Sequence, residues 1–356
     1  MASPVLTPIL GLMAGTSVDG IDASIILTDG EQCTCPGLNH QHPYRDETRA
    51  AIFAAMQAPH EDHTALGLMI ADDHAMAAKA LIRKAGISPR LIGFHGQTIH
   101  HDPDAGETVQ IGNSHHLAAQ LGLPVACDFR RADMAAGGQG APLAPLYHQA
   151  VITALGLPLT AAVVNIGGIS NISIWDGETL CGFDTGPGNG LMDQLARDVL
   201  GRQCDEDGRL AAAGQPDLGW VEAVLNLPYF SNPAPKSLDR QDLFDWCAAI
   251  TPPQDPADRM ASFLSLTASS ILRATEGCSH VLVTGGGARN PVLMQAIREG
   301  AGCPVTRLDD HGRDGDFLEA ELMAYLAVRV ERGLALTLPT TTGVTAPTPG
   351  GRIITP

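Results

Sequence analysis

The sequence predicts an α/β protein of two domains, and three observations carry that prediction. Residues 8–28, PILGLMAGTSVDGIDASIILT, read as a strand, a Gly/Ser/Thr/Asp turn and a second strand. Residues 160–175, TAAVVNIGGISNISIW, repeat the layout around a tight Gly-Gly turn, about half a chain away, as a duplicated fold places them. Between and beyond these hairpins, helical periodicities alternate with short apolar runs, which is the pattern of α/β layers. At 356 residues the chain is long enough for two ordinary domains.

In chain order, Leu66, Met69, Ile70, Ala77 and Leu81 share one face of a helix over 65–85, with Gly86 in the position of a C′ residue. Leu91–Phe94 then reads as a short buried strand ending in a polar loop, His95-Gly96-Gln97-Thr98. Gly182–Asn189 leads from a strand into a helix carrying Leu191, Met192, Leu195 and Val199. A helix over 257–275 places Met260, Phe263, Leu264, Thr267 and Ile271 on one face. Val281–Thr284 is a strand running into a triple glycine, and 337–356 is irregular and expected to return to one of the domains. The domain boundaries expected from this are 1–128 and 129–334, with about 335–356 packing back on the first.

Lys and Arg number 22 against 39 Asp and Glu, a net charge of −17, which argues against nonspecific binding to nucleic acid or an anionic membrane. The opening MASPVLTPIL lacks a basic, apolar leader, and no apolar run reaches a membrane span, so a cytoplasmic location is expected. Six of the eight cysteines are scattered singly, which suits reduced thiols.

Several stretches can carry chemistry. In Gly15-Thr16-Ser17-Val18-Asp19-Gly20 the glycines let backbone N–H groups approach phosphate, and the Thr16 and Ser17 hydroxyls add donors. Asp19 and Asp22 can hold Mg²⁺ through water, with no direct protein ligand assigned. An ordinary hairpin turn accounts for the same residues. Gly167 and Gly168 offer a second cradle, so the two turns can clasp a triphosphate from opposite sides of a cleft. Asp184, between a strand and a helix N-terminus, is favoured as a general base over a turn cap; at its ordinary pKa of about 3.9 it is ionised at neutral pH. Gly285, Gly286 and Gly287, leading to Asn290, suit close packing of an adenosine ring, without the spacing of a Rossmann or P-loop fingerprint. Arg130 or Arg131 can fork onto a carboxylate or form a structural ion pair beside Asp133. His95, His100, His101, His115 and His116 do not converge as zinc ligands on spacing, so no catalytic zinc is expected.

Taken together, GLMAGTSVDGID, GFHGQTIHH, QIGN, DFRRADMAAGGQGAPL, NIGGISNIS, GFDTGPGN, PYFSNPAPKS and VTGGGARN, in this order, resemble the anhydro-N-acetylmuramic acid kinase family. The resemblance runs from about residue 10 to the terminal TGVTAPTPGGRIITP and covers nearly the whole chain. It implies an actin/hexokinase-like (RNase H-like) ATPase fold with an interdomain cleft, ATP and Mg²⁺ as cofactors, a homodimer, and no nucleic-acid or membrane partner. The implied reaction opens a 1,6-anhydro amino sugar with water and phosphorylates O6, giving N-acetylmuramic acid 6-phosphate in peptidoglycan recycling. Gly15 to Asp22, with Ile21, would be the phosphate segment, Asp184 the base acting on water, and Glu319 a carboxylate near it. His95, Gln97, Thr98 and Arg130 would line the sugar, with Asp133, Gly186 and Asn189 beside them. Ala14 and Val18 stand where the family has Ser and Leu, and Leu238-Asp239-Arg240-Gln241 where it has Thr-Gly-Arg-Glu. A kinase of the same fold acting on another sugar is the alternative, and a non-kinase actin-like ATPase a more distant one.

Overall fold

Apolar, β-branched runs become strands and small-residue turns fold them back, and this happens twice with the same result. The computed structural model describes residues 5–356, and of Arg240, Gln241 and Ala248 the backbone alone. In the first sheet β1 (Thr7–Ala14), β2 (Ile21–Thr28) and β3 (Cys33–His42) form an antiparallel meander. On its other side β1 pairs in parallel with β4 (Ile92–Asp102). The far half of β4 takes β5 (Glu107–Ile111) as an antiparallel partner, and its near half takes β6 (Val125–Cys127) in parallel. In the second sheet β7 (Ala161–Ile166), β8 (Ile169–Trp175) and β9 (Leu180–Pro187) are again an antiparallel meander. There β7 pairs in parallel with β10 (His280–Thr284), and β10 with β11 (Val305–Arg307).

The two orders, β3-β2-β1-β4-β6 and β9-β8-β7-β10-β11, are therefore the same, strand sense included. This is the RNase H-like topology occurring twice, which is the actin/hexokinase-like fold. The chain ends with a small ribbon, β12 (Ala335–Thr337) against β13 (Thr348–Pro349), and with β14 (Arg352–Ile354) antiparallel to β6.

One compact unit is the chain up to Ala154 together with Asp316–Pro356, and the other is Leu155–Gly315. The first junction thus lies at Ala154/Leu155 where 128/129 was expected, and the second at Gly315/Asp316 where 334/335 was expected, the latter because the helix Leu318–Arg332 packs on β1, β2 and β4. Glycines permit this: a Cβ on Gly11 would lie 1.8 Å from Ala320 O, and one on Gly93 1.9 Å from Met323 O. The first turn of that helix is thereby fixed relative to the central strands.

The helix Thr64–Ala85 ends at Gly86 (φ 64°), whose N–H bonds Ile82 O at 3.0 Å. Its buried Ile70 and Leu81 join Leu12 and Phe94 in the first core, and each fully buried side chain stabilises by roughly 1.5–3 kcal/mol. The helix Pro256–Ala274 buries Met260, Phe263, Leu264, Thr267 and Ile271. The second core contains Leu264 together with Val164, Trp220 and Val283. Two local expectations are corrected. His95–Thr98 is not a loop, since β4 runs on to Asp102 where β5 supplies the missing ladder partner. Asp184 lies inside β9, opposite Asn171 and next to a bulge, rather than at a strand end. Among the described residues no helix is long and apolar enough to cross a membrane.

Candidate active site

In the first unit the β1–β2 turn is built around Val18, buried with φ 55°, whose N–H donates to Gly15 O at 3.2 Å. Thr16, Ser17 and Asp19 are exposed, and the Ser17 hydroxyl donates to Asp19 Oδ1 at 2.9 Å. Gly20 and Ile21 are buried where β2 begins. Asp22, half-buried, accepts from Gln41 Nε2 at 3.2 Å. Burial pushes its carboxyl up to about 6, against the Gln41 hydrogen bond, and the negative charges of Asp19, Glu319 and Asp316 push the same way.

Gln97, expected beside the sugar, takes part in hydrogen bonds within the first unit. It is fully buried, its Oε1 accepts from the Tyr44 hydroxyl at 3.1 Å, and its Nε2 donates to Gly15 O at 3.1 Å and Thr98 O at 3.2 Å. Its Nε2 thereby ties the β1–β2 turn to β4, and its Oε1 ties β4 to Tyr44. Thr98 Oγ1 accepts from Gln110 Nε2 at 3.4 Å. Asp133 is likewise a clamp: Oδ2 accepts from Gly140 N–H and Oδ1 from the Thr342 hydroxyl, both at 2.6 Å.

That clamp fixes Arg130, whose Nη1 donates to Gly140 O at 2.7 Å and whose Nε donates to His95 Nε2 at 3.0 Å. His95 must then carry its proton on Nδ1, which faces Gly96 O at 3.0 Å. Burial and the neighbouring guanidinium hold His95 down to about 3, so it is neutral. Burial lowers Arg130 to about 10, against the pull of Glu319 and Asp133, so it stays charged at neutral pH. Glu319, in the first turn of Leu318–Arg332, is exposed by surface area. Crowding by protein nevertheless raises its carboxyl, and the Arg130 charge opposes the rise. Arg131 is exposed and pairs with Asp128 at 3.5 Å, which leaves Arg130 as the built-in cation.

In the second unit Asp184 is held by the segment Tyr229–Leu238. Its Oδ2 accepts from Leu238 N–H at 2.9 Å, its N–H donates to Lys236 O at 2.9 Å, and its carbonyl accepts from the Tyr229 hydroxyl at 2.6 Å. Lys236 secures the segment by donating to Tyr229 O at 2.9 Å with its ammonium 4.7 Å from the Tyr229 ring centre. Burial pushes the Asp184 carboxyl up to about 6, against the Leu238 hydrogen bond, which corrects the expectation of an ordinary carboxylate. The departure at Leu238 is mild for Asp184, since a backbone N–H makes the contact; the side chains of Arg240 and Gln241 lie outside the described residues.

The Gly167–Gly168 turn receives the N–H groups of Gly188, Asn189 and Gly190 on its carbonyls at 2.7–3.1 Å, joining β7–β8 to the helix Gly190–Leu200. Asn189 caps nothing with its side chain but donates to Ile166 O at 3.4 Å. Gly186 is glycine because a Cβ there would meet Phe230 at 2.9 Å and Ser270 at 3.0 Å. The triple glycine turns against β7: a Cβ on Gly285 would sit 2.3 Å from Asn165 Oδ1, and one on Gly287 2.3 Å from Ile166 Cγ2. Gly286 opens the short 3₁₀ turn Gly286–Arg289. Asn290, expected at the nucleotide, uses its Oδ1 to cap the helix Pro291–Gly300 through the N–H groups of Val292 and Leu293 at 3.0 and 3.1 Å.

Sequence reading missed Tyr44, Gln41, Gly140, Thr342 and the Leu238 N–H. Gly140 sits in the motif DFRRADMAAGGQGAPL, Thr342 opens TGVTAPTPGGRIITP, and Tyr229 and Lys236 lie in PYFSNPAPKS, but no role was read for any of them from residue type.

Known proteins are similar to this chain over nearly its whole length. It is 46% identical over 357 residues to the anhydro-N-acetylmuramic acid kinase of Acidiphilium cryptum, covering 98% of both chains. To the protein of that name from Rhodopseudomonas palustris it is 44% identical over 365 residues, covering 98% of this chain and 99% of that one. Among solved structures it is similar to a ROK hexokinase from Thermus thermophilus at 20% identity and a TM-score of 0.39, covering 90% of this chain and 99% of that one. So distant a likeness adds nothing to the strand order described above. The profile described as anhydro-N-acetylmuramic acid kinase matches residues 7–356, and the chain belongs to the anhydro-N-acetylmuramic acid kinase family.

Proposed function

We propose that this protein uses ATP to convert 1,6-anhydro-N-acetylmuramic acid to N-acetylmuramic acid 6-phosphate, as an enzyme of peptidoglycan recycling. The observation that carries the reading is Asp184. One oxygen of its carboxylate is fixed by the Leu238 N–H, and Oδ1 has no protein partner among the described residues. A half-buried carboxylate with its pKa near 6 is ionised at neutral pH yet basic enough to accept a proton. Asp184 takes a proton from water as the water oxygen bonds to the anomeric carbon. The C1–O6 bond breaks, and O6 bonds to the γ-phosphorus as ADP leaves.

Other groups then need only to position and neutralise. Arg130, held by His95 and Gly140, offers a fixed guanidinium to the lactyl carboxylate, and the Gly15–Gly20 amides and Thr16 and Ser17 hydroxyls suit phosphate oxygens. Gly167, Gly168 and the Gly285–Gly287 turn are the nucleotide-side elements of the second unit. The mutual repulsion that helps raise Asp22 beside Asp19, Glu319 and Asp316 fits an oxygen-ligated divalent cation held through water. Mg²⁺ supplies neutralisation of phosphate charge when bound. A cytoplasmic location and a homodimer belong to the same reading; sedimentation equilibrium reads the latter, and a monomer at micromolar concentration would remove it.

Incubation with Mg-ATP and the anhydro sugar in ¹⁸O-labelled water tests the reaction. The expected product is a sugar 6-phosphate with the label on the sugar, detected by mass spectrometry. Unchanged anhydro sugar, with ATP turned over on a free hexose instead, would transfer the reading to another sugar.

Gln97 separates turn support from sugar contact. Gln97→Leu leaves the Tyr44 hydroxyl without its partner and the Gly15 carbonyl with the Val18 N–H alone, at a cost of about 1–3 kcal/mol in stability. Its KM for ATP is expected to rise several-fold with that for the sugar unchanged. The reverse pattern would return Gln97 to the sugar side.

A further inference from the structure

Three side chains outside this machinery meet on the first unit. His60 lies in the connector between the helices Asp46–Gln57 and Thr64–Ala85, His100 on β4 and Glu107 on β5. The Nε2 atoms of both histidines are 3.6 Å from Glu107 Oε2, and the three ligand atoms lie within 4.8 Å of one another. At 3.6 Å neither imidazole hydrogen-bonds the carboxylate, since such bonds need about 2.7–3.2 Å. The spacing suits a shared cation better: ligands about 2.0–2.1 Å from a tetrahedral zinc stand roughly 3.3–3.5 Å apart.

The convergence is built into the backbone. The β4–β5 ladder pairs Asp102 with Glu107 and His100 with Val109, which puts His100 and Glu107 on one face. The connector is folded by its own bonds, with His63 Nε2 2.9 Å from Ala58 O and Asp62 Oδ1 accepting from both the N–H and hydroxyl of Thr64 at 2.9 and 2.6 Å. The side chains are 65%, 29% and 51% exposed for His60, His100 and Glu107, so water can complete the coordination. Two imidazoles and one carboxylate select a borderline transition cation over Mg²⁺ or Ca²⁺, which take oxygen ligands.

We propose that His60, His100 and Glu107 form a three-ligand site for a divalent transition cation of the zinc class, with water in the open position. A bound cation ties the helix connector to the hairpin whose first strand carries His95 and Gln97. The site is independent of the phosphoryl-transfer residues, and its test does not depend on the proposed reaction.

The test uses the full chain, reduced and stripped of metal. Zinc titration by calorimetry is expected to show one saturable site per chain, together with a rise in melting temperature. His100→Ala and Glu107→Gln are each expected to weaken binding by at least about tenfold, with zinc-free stability and turnover unchanged. Cobalt(II) at the site is expected to give visible d–d bands without thiolate charge transfer. Unsaturable binding, unchanged affinity in both variants, or a cobalt–thiolate spectrum from the cysteines would each overturn the proposal.

Discussion

Asp184→Asn is expected to lower turnover by about 10²–10⁴-fold, the range for a lost general base, while nucleotide affinity stays at the parental level. The substitution keeps shape and an oxygen acceptor, so the Leu238 N–H retains a partner and the Tyr229–Leu238 segment stays in place. What disappears is the proton acceptor. The parent enzyme supplies an internal check through pH. Burial raises the Asp184 carboxyl to about 6, and only the ionised form accepts a proton. Activity is therefore low below pH 6, rises through it and levels off above, and kcat/KM against pH reads that limb directly. In Asp184→Asn the residual activity should lose the limb. A variant with near-parental turnover, or with the same acid limb, would assign the base to another group. Asp22 rises to about 6 as well, so the variant profile decides which carboxyl the limb reports.

The sequence showed the duplicated fold because its signals are local. Apolar, β-branched runs around the small-residue turns Gly15–Gly20 and Gly167–Gly168 specify hairpins without reference to the rest of the chain, and both form as read. Asp184 was legible as a carboxylate among apolar strand residues ahead of glycines. Its partner was not, because a backbone N–H at Leu238 leaves no mark in residue type. Gln97, Asp133 and Asn290 are the opposite case: their types suit ligand contacts, and the fold also uses the Gln97 amide with Tyr44 and Gly15, the Asp133 carboxylate with Gly140 and Thr342, and Asn290 Oδ1 at a helix N-terminus. Residue type states what a side chain can bond, and only the fold decides what remains to be bonded. Glu319 was found by resemblance alone, since its place depends on a helix that follows the whole second unit in sequence yet packs on the first sheet.

That packing yields the second large expectation, in stability rather than catalysis. Gly93→Ala would put a methyl group 1.9 Å from Met323 O and 2.5 Å from its carbonyl carbon, distances no real Cβ tolerates. The obstacle is backbone in the middle of a helix, not the end of a flexible side chain, so no rotamer change relieves it. The helix Leu318–Arg332 has to move away from β4, and its contacts with β1 and β2 open with it. Overpacking of this kind costs about 1–3 kcal/mol or more, which urea denaturation reads as a lower midpoint at unchanged slope. Gly302→Ala is the control: a Cβ there meets nothing within 4 Å, and stability should change by less than about 0.5 kcal/mol. Because Glu319 sits in the first turn of the displaced helix, the folded fraction of Gly93→Ala should also turn over more slowly per molecule than the parent. A Gly93→Ala protein as stable as the control would mean that helix and sheet are not in backbone contact, and the placement of Glu319 beside Asp22 and Arg130 would fall with that contact.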